Sequence, residues 1–209
     1  MPTYSVGVGV NTERARRILE LAYEVGALLE GEFTLTSGKK SNYYFDGKRL
    51  TLTPEGAYLV GKAVLDLLAD VDAIGGVATG GYPMATAAAL VSYLEGRPIP
   101  SFIVRKETKE HGTTMKIEGH LKEGSRVAIV DDVITTGGSV KKAIEAVEEE
   151  GCKVVKVIVI VDRNEGGSER LRKEGYNFEA IINFPPSGKA SISESSETKG
   201  EVREGVLHQ

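Results

Sequence analysis

Two apolar runs constrain this chain more than any other feature. Val127-Ala-Ile-Val130 and Val154 to Val161, the second interrupted only by Lys156, show no alternation of polar and apolar residues. A strand with one wet face alternates, whereas a strand covered on both faces does not. Between the runs, Val140, Ala143, Ile144 and Val147 recur at the spacing of one helical face, with Ser139 as the expected cap. Strand, helix, strand in that order implies a right-handed crossover and parallel neighbours. The pattern repeats upstream: a strand over Ala73–Ala78, an Ala-rich helix over Met84–Leu94 and a strand over Ile99–Val104. The expected fold class is α/β, a mostly parallel twisted sheet flanked by helices.

The N-terminal quarter reads differently. Ile18, Leu21, Ala22, Val25, Leu28 and Leu29 predict one helix from Thr12 to a stop at Gly31. Phe33–Thr36 and Asn42–Asp46 read as short strands around the polar turn Ser37-Gly38-Lys39-Lys40. Thr53-Pro54-Glu55 is a helix start, followed by an apolar face of Leu59, Val60, Ala63, Val64, Leu67 and Leu68. Residues 105–124 are polar and punctuated by glycine, without a clear period. Residues 187–209 are rich in Ser, Glu, Lys and Gly and read as a weakly packed tail. The expected division is 1–52, a core over 53–186 and the tail 187–209. No internal repeat is evident.

Composition mainly excludes. A chain of 209 residues suits one domain with a small appendage. A net charge of −4 argues against a dedicated nucleic-acid binder. The single cysteine, Cys152, excludes an internal disulfide and a cysteine-rich zinc site, and fits a reducing, cytoplasmic location. The longest purely apolar run, Val157–Val161, is far too short for a membrane span, and no signal peptide is evident. Glycine is in excess, 25 residues in 209, about 12% against an average of about 7%. Many tight turns, or backbone that approaches a ligand closely, would explain it.

Three loops leave strand ends with suggestive chemistry. The first is Asp131-Asp132-Val133-Ile134-Thr135-Thr136-Gly137-Gly138-Ser139. Free N–H groups, hydroxyls and a helix dipole make a phosphate cradle. The two acids suit sugar hydroxyls or a water-coordinated cation instead, because like charges repel. The second is Arg105 to Gly124, with Arg105, Lys106, Lys109 and His111 interleaved with Glu107 and Glu110. Taken by itself this reads first as a solvated hairpin of mixed charge. The third, Ala78-Thr-Gly-Gly-Tyr-Pro83, contains neither GxxxxGK[ST] nor GxGxxG.

The first string resembles the phosphoribosyl-diphosphate (PRPP) signature of the type I phosphoribosyltransferases. Phe33–Asp46, Arg105–Gly112 and Val161-Asp162-Arg163 resemble orotate phosphoribosyltransferases in order and spacing, over about residues 15–185. The resemblance implies transfer of a 5-phosphoribosyl group from PRPP to orotate, giving orotidine 5′-monophosphate and diphosphate. It implies a hood, 1–52, over the base site and a lid, 105–124, shared across a homodimer. It implies a PRPP site of Arg105, Lys106, Lys109, His111 and the whole stretch Asp131, Asp132, Val133, Ile134, Thr135, Thr136, Gly137, Gly138 and Ser139. Lys109, Asp131 and Asp132 are the catalytic candidates. Tyr44, Phe45, Thr135 and Arg163 are the orotate contacts, Arg163 matching the base's carboxylate. Mg²⁺ would be held mainly by PRPP and water, with no direct protein ligands.

Two departures stand out. Thr36 occupies a place where many relatives carry Lys, leaving Lys39, Lys40 or Lys48 to supply that charge. A Lys that some relatives carry near Pro83 is also missing, leaving backbone donors there. A phosphoribosyltransferase for another base, or a PRPP-sensing regulator without turnover, are the competing readings.

Overall fold

The computed structural model describes residues 4–34, 38, 40–68, 70–109 and 112–184, with side chains for all of these except 106–109 and 112–115. Thr36, Lys39, His111 and the tail 187–209 lie outside the described residues.

The described elements are β1 (Ser5–Val6), α1 (Thr12–Glu24), β2 (Leu28–Thr34), β3 (Lys40–Phe45), α2 (Gly47–Thr51), α3 (Pro54–Leu67), β4 (Ala73–Val77), α4 (Gly81–Leu94), β5 (Ser101–Lys109), β6 (Gly112–Gly119), β7 (Arg126–Ile134), α5 (Gly138–Glu149), β8 (Lys153–Asp162), α6 (Gly167–Lys173) and β9 (Phe178–Asn183). They build a seven-stranded sheet, β1-β9-β8-β7-β4-β5-β6, and a separate two-stranded hairpin, β2-β3. Strands β9, β8, β7, β4 and β5 run parallel; β1 and β6 are antiparallel edges. Both sheet faces are covered. Ala128, Val130, Ile158 and Ile160 pack with α1, α3 and α4 on one side. Val127, Ile129, Val157 and Val159 pack with α5 and α6 on the other. Every one of these eight is fully buried, which is why the runs carry no alternation.

The predicted first helix is too long. It ends at Glu24, and Leu28 and Leu29 open β2 instead. The stop is Gly26, at φ +66°, not Gly31. Ala27 N–H donates to the Ala22 carbonyl at 2.8 Å and Gly26 N–H to that of Tyr23 at 3.1 Å. This pair of bonds is a Schellman motif, and glycine suits its left-handed position. The stretch 105–124, which shows no clear period, is largely the hairpin its mixed charge suggested, two paired strands with register from Phe102↔Gly119 to Lys109↔Gly112.

Helix α3 starts where Thr53-Pro54 predicts. The Thr53 hydroxyl accepts from Gly56 N–H at 3.1 Å and donates to the Leu50 carbonyl at 2.8 Å. Thr53→Ala is expected to lower unfolding free energy by about 1 kcal/mol, measurable as an earlier urea midpoint at unchanged slope.

Candidate active site

The strand order fixes where a ligand can enter. β4 has β5 on one side and β7 on the other, so the chain leaves β4 in one direction and later returns on its opposite flank. The crevice at the carboxyl ends of β4 and β7 is the topological switch point, the usual ligand position in open α/β sheets.

Asp131 and Asp132 lie there, within β7 rather than in the loop after it. Asp131 is 6% exposed. Its Oδ1 accepts the Asp132 N–H at 2.9 Å, and its Oδ2 faces the Ser139 hydroxyl at 3.5 Å. Burial, and then the charge of Asp132, hold the Asp131 carboxyl well above the usual range. Burial also raises Asp132, against the pull of Lys48. The site therefore holds two adjacent acids whose charged forms burial disfavours. Two glycines close on Asp132 from opposite elements. A Cβ on Gly80, after β4, would lie 2.1 Å from its Cγ; one on Gly47, opening α2, would lie 2.4 Å from its Cβ.

The helix starts differ in how they are capped. Asn11, Asp46 and Thr53 cap α1, α2 and α3 with side-chain oxygens. Helices α4 and α5 begin at Gly80 and Gly137, neither with a side-chain cap nor an acid in its first turn. Their first N–H groups remain available to an anion. Gly137, at φ +75°, is the cap residue of α5. Ser139 does not cap that helix, as its sequence position suggested; its hydroxyl turns to Asp131.

The loop after β8 is stitched to the loop after β7. Arg163 N–H donates to the Ile134 carbonyl at 3.2 Å and Gly167 N–H to that of Thr135 at 2.9 Å. The Arg170 guanidinium donates to the Thr136 carbonyl. The Arg163 side chain leaves the core for the β2-β3 hairpin and is 5% exposed. Its Nε donates to Glu165 at 3.1 Å and its Nη2 to the Ser41 hydroxyl at 2.7 Å. Its guanidinium carbon stands 4.4 Å from the centre of the Tyr43 ring.

Residues 48–185 match the model of the phosphoribosyl transferase domain. The orotate phosphoribosyltransferase of Methanocaldococcus jannaschii is 47% identical over 171 residues, covering 81% of this chain and 94% of that relative. The chain belongs to the orotate phosphoribosyltransferase family. The enzyme of Nostoc sp. is 45% identical over 169 residues, 80% of this chain and 82% of its own. The Mycobacterium tuberculosis orotate phosphoribosyltransferase, solved in complex with PRPP, superposes with a TM-score of 0.65 at 36% identity, covering 82% of this chain and 96% of that one. The fold expectation holds: these neighbours share the mostly parallel sheet flanked by helices.

Against this family background, the structure gathers Asp131, Asp132, Val133, Ile134, Thr135, Thr136, Gly137, Gly138 and Ser139 along β7 and the start of α5, with Arg163 beside them. Arg105 sits at the root of the β5-β6 hairpin, its Nη2 on Glu118 at 2.8 Å. The backbone of Lys106 and Lys109 continues along β5. Tyr44 and Phe45 do not form one aromatic wall. Successive strand residues point to opposite faces: Phe45 is buried, while Tyr44 is 42% exposed and lies 5.8 Å from Phe33. The ring on the Arg163 side is Tyr43, 4% exposed and 4.6 Å from Phe184. The alternation Ser41, Tyr43, Phe45 carried that signal in the sequence. Of the lysines offered for the missing charge at Thr36, two are described: the charge of Lys48 reaches Asp132, and Lys40 is exposed at the start of β3.

Proposed function

We propose that the chain transfers the 5-phosphoribosyl group of PRPP to orotate, releasing diphosphate and orotidine 5′-monophosphate. The observation that carries this reading is the switch-point crevice, where buried Asp131, half-buried Asp132 and two helix starts without side-chain caps come together near Arg163. Asp131 and Asp132 accept hydrogen bonds from the ribose hydroxyls. The first turn of α5, with Thr135 to Ser139, holds the 5-phosphate; the first turn of α4 faces the diphosphate. Arg163 takes the carboxylate of orotate, and the β2-β3 hood, with Tyr44 and Phe45, covers the ring. Lys109, Arg105, Lys106 and His111, on the lid, offset the charge of the departing diphosphate.

The transition state of such a transfer has oxocarbenium character, as in glycoside cleavage. The protein's tasks are positioning and charge stabilisation. Mg²⁺ supplies neutralisation of the diphosphate when PRPP is bound. The donor set fits an ion carried on the substrate: Asp131 and Asp132 offer two oxygen-bearing groups whose mutual repulsion a nearby cation relieves.

A homodimer with shared lids completes the reading. Its support is an exposed apolar surface on neighbouring helices: Tyr58 of α3, and Leu90, Tyr93 and Leu94 of α4, each more than half exposed. A cytoplasmic setting suits the free, buried Cys152. Protein, Mg²⁺, PRPP and orotate mixed together should consume orotate, followed by its absorbance. Turnover with uracil or hypoxanthine but not orotate would refute the assignment, and saturable PRPP binding without any turnover would point to a regulator.

A further inference from the structure

Arg163 is held more tightly than a surface strand-end arginine needs to be. Four groups from three places in the chain fix it. The Ile134 carbonyl takes its N–H, Glu165 takes Nε, Ser41 takes Nη2, and the Tyr43 ring covers the guanidinium plane. Ser41 and Tyr43 are 2% and 4% exposed. Tyr43 is itself pressed between Arg163 and Phe184, whose N–H donates to the Asp162 carbonyl at 2.9 Å. The Ser41 hydroxyl both donates, to the Tyr43 carbonyl at 2.7 Å, and accepts from Arg163. Its position is therefore not free to rotate away. With Nε and one Nη2 proton engaged, Nη1 has no partner among the described residues and keeps contact with solvent. A planar fork with one end pinned and the other open presents its remaining protons in a single direction.

We propose that Ser41 and Tyr43 are positioning residues that set the open end of Arg163 for the carboxylate of the base. This deepens, and rests on, the reading of Arg163 as an orotate contact. Because both residues belong to β3, seating of the hairpin on the core and recognition of the carboxylate become one event. Among the described residues no hydrogen bond or ring contact links the pair to the start of α5, so its effect falls on the base and not on PRPP. Discrimination between orotate and uracil, which lacks the carboxylate, depends on the fork's orientation, because a rotated fork makes one bond in place of two.

Steady-state kinetics with orotate, uracil and PRPP separates this from a merely structural role. Ser41→Ala is expected to raise KM for orotate about tenfold, the worth of one charged hydrogen bond, with KM for PRPP and kcat within about twofold. The preference for orotate over uracil falls by the same factor. Tyr43→Leu has the larger effect of the same kind, and Tyr43→Phe, which keeps the ring, restores both values. If Tyr43→Leu fails to fold, Ser41→Ala and Tyr43→Phe decide the matter. An unchanged orotate KM in Ser41→Ala, or equal losses for orotate and PRPP, overturns the positioning role while leaving the proposed activity intact. Wild-type protein that turns over PRPP with uracil but not with orotate overturns both.

Discussion

Asp131→Asn is expected to melt at a higher temperature than the parent chain and to lose turnover about a hundredfold. The two effects have one cause. Asp131 is buried with only a backbone N–H and a distant hydroxyl for company, and Asp132 stands beside it. Burial and that neighbouring charge raise its folded pKa above the unfolded value. A carboxyl whose folded pKa is raised favours the fold while protonated. As pH rises from the unfolded to the folded pKa, the protein loses that stability. An amide carries no such penalty, so the gain in melting temperature is largest at neutral and alkaline pH and shrinks as pH falls towards the ordinary carboxylate range. For a domain of this size each 1 kcal/mol corresponds to about 2–4 °C. The activity loss reflects the removal of a charged acceptor for a ribose hydroxyl, which supplies up to about two orders of magnitude. Melting curves between pH 4 and 9, alongside kcat/KM, test both halves. An amide variant that melts lower than the parent at every pH would show the carboxylate to be structurally satisfied.

Gly80→Ala is expected to cost about a hundredfold in kcat/KM with a modest effect on stability. The added methyl carbon would stand 2.1 Å from both Cγ and Oδ1 of Asp132. A side-chain carboxylate can swing aside, so the fold survives while the acid leaves its working position. A displacement near 1 Å in a reacting constellation costs roughly a hundredfold. Its neighbour supplies the control. A methyl on Gly81 would meet the Val130 carbonyl oxygen at 2.2 Å, backbone inside a central strand, so Gly81→Ala loses stability first. Comparing the two variants by melting temperature and by kcat/KM distinguishes crowding of the site from crowding of the sheet. Full activity in Gly80→Ala would mean that Asp132 works from more than one position.

Much of this site was legible in the sequence because its parts are contiguous. Asp131 to Ser139 is one string, and the strand before it and the helix after it are declared by Val127–Val130 and Val140–Val147. The crowding of Asp132 was not legible, since Gly47 and Gly80 lie far from it along the chain and meet it only in the fold. Nor was the partner of Arg163: Ser41 is 122 residues away. Tyr44 and Phe45 were named together because the resemblance places them at the base, while the period of two in β3 put Tyr43 with Phe45 on the face that meets Arg163. The end of α1 was missed for a different reason. Leu28 and Leu29 fit the helical period equally well, and the left-handed turn at Gly26 overrode it. Short elements such as α2, α6 and β1 hold too few residues to declare a period.

The β5-β6 hairpin has a mechanical consequence. β5 is tied to β4 only as far as Val77↔Val104, whereas its own pairing with β6 continues to Lys109↔Gly112. Five residues of ladder therefore project past the sheet, about 17 Å at the rise of a strand. An arm of that length is a lever. A twist of about 10° at its root, where Arg105 meets Glu118, sweeps the far end through about 3 Å, comparable to the length of a hydrogen bond. Any torque on this arm is borne at its root, beside Arg105, and the displacement it produces is greatest at the Lys109↔Gly112 end.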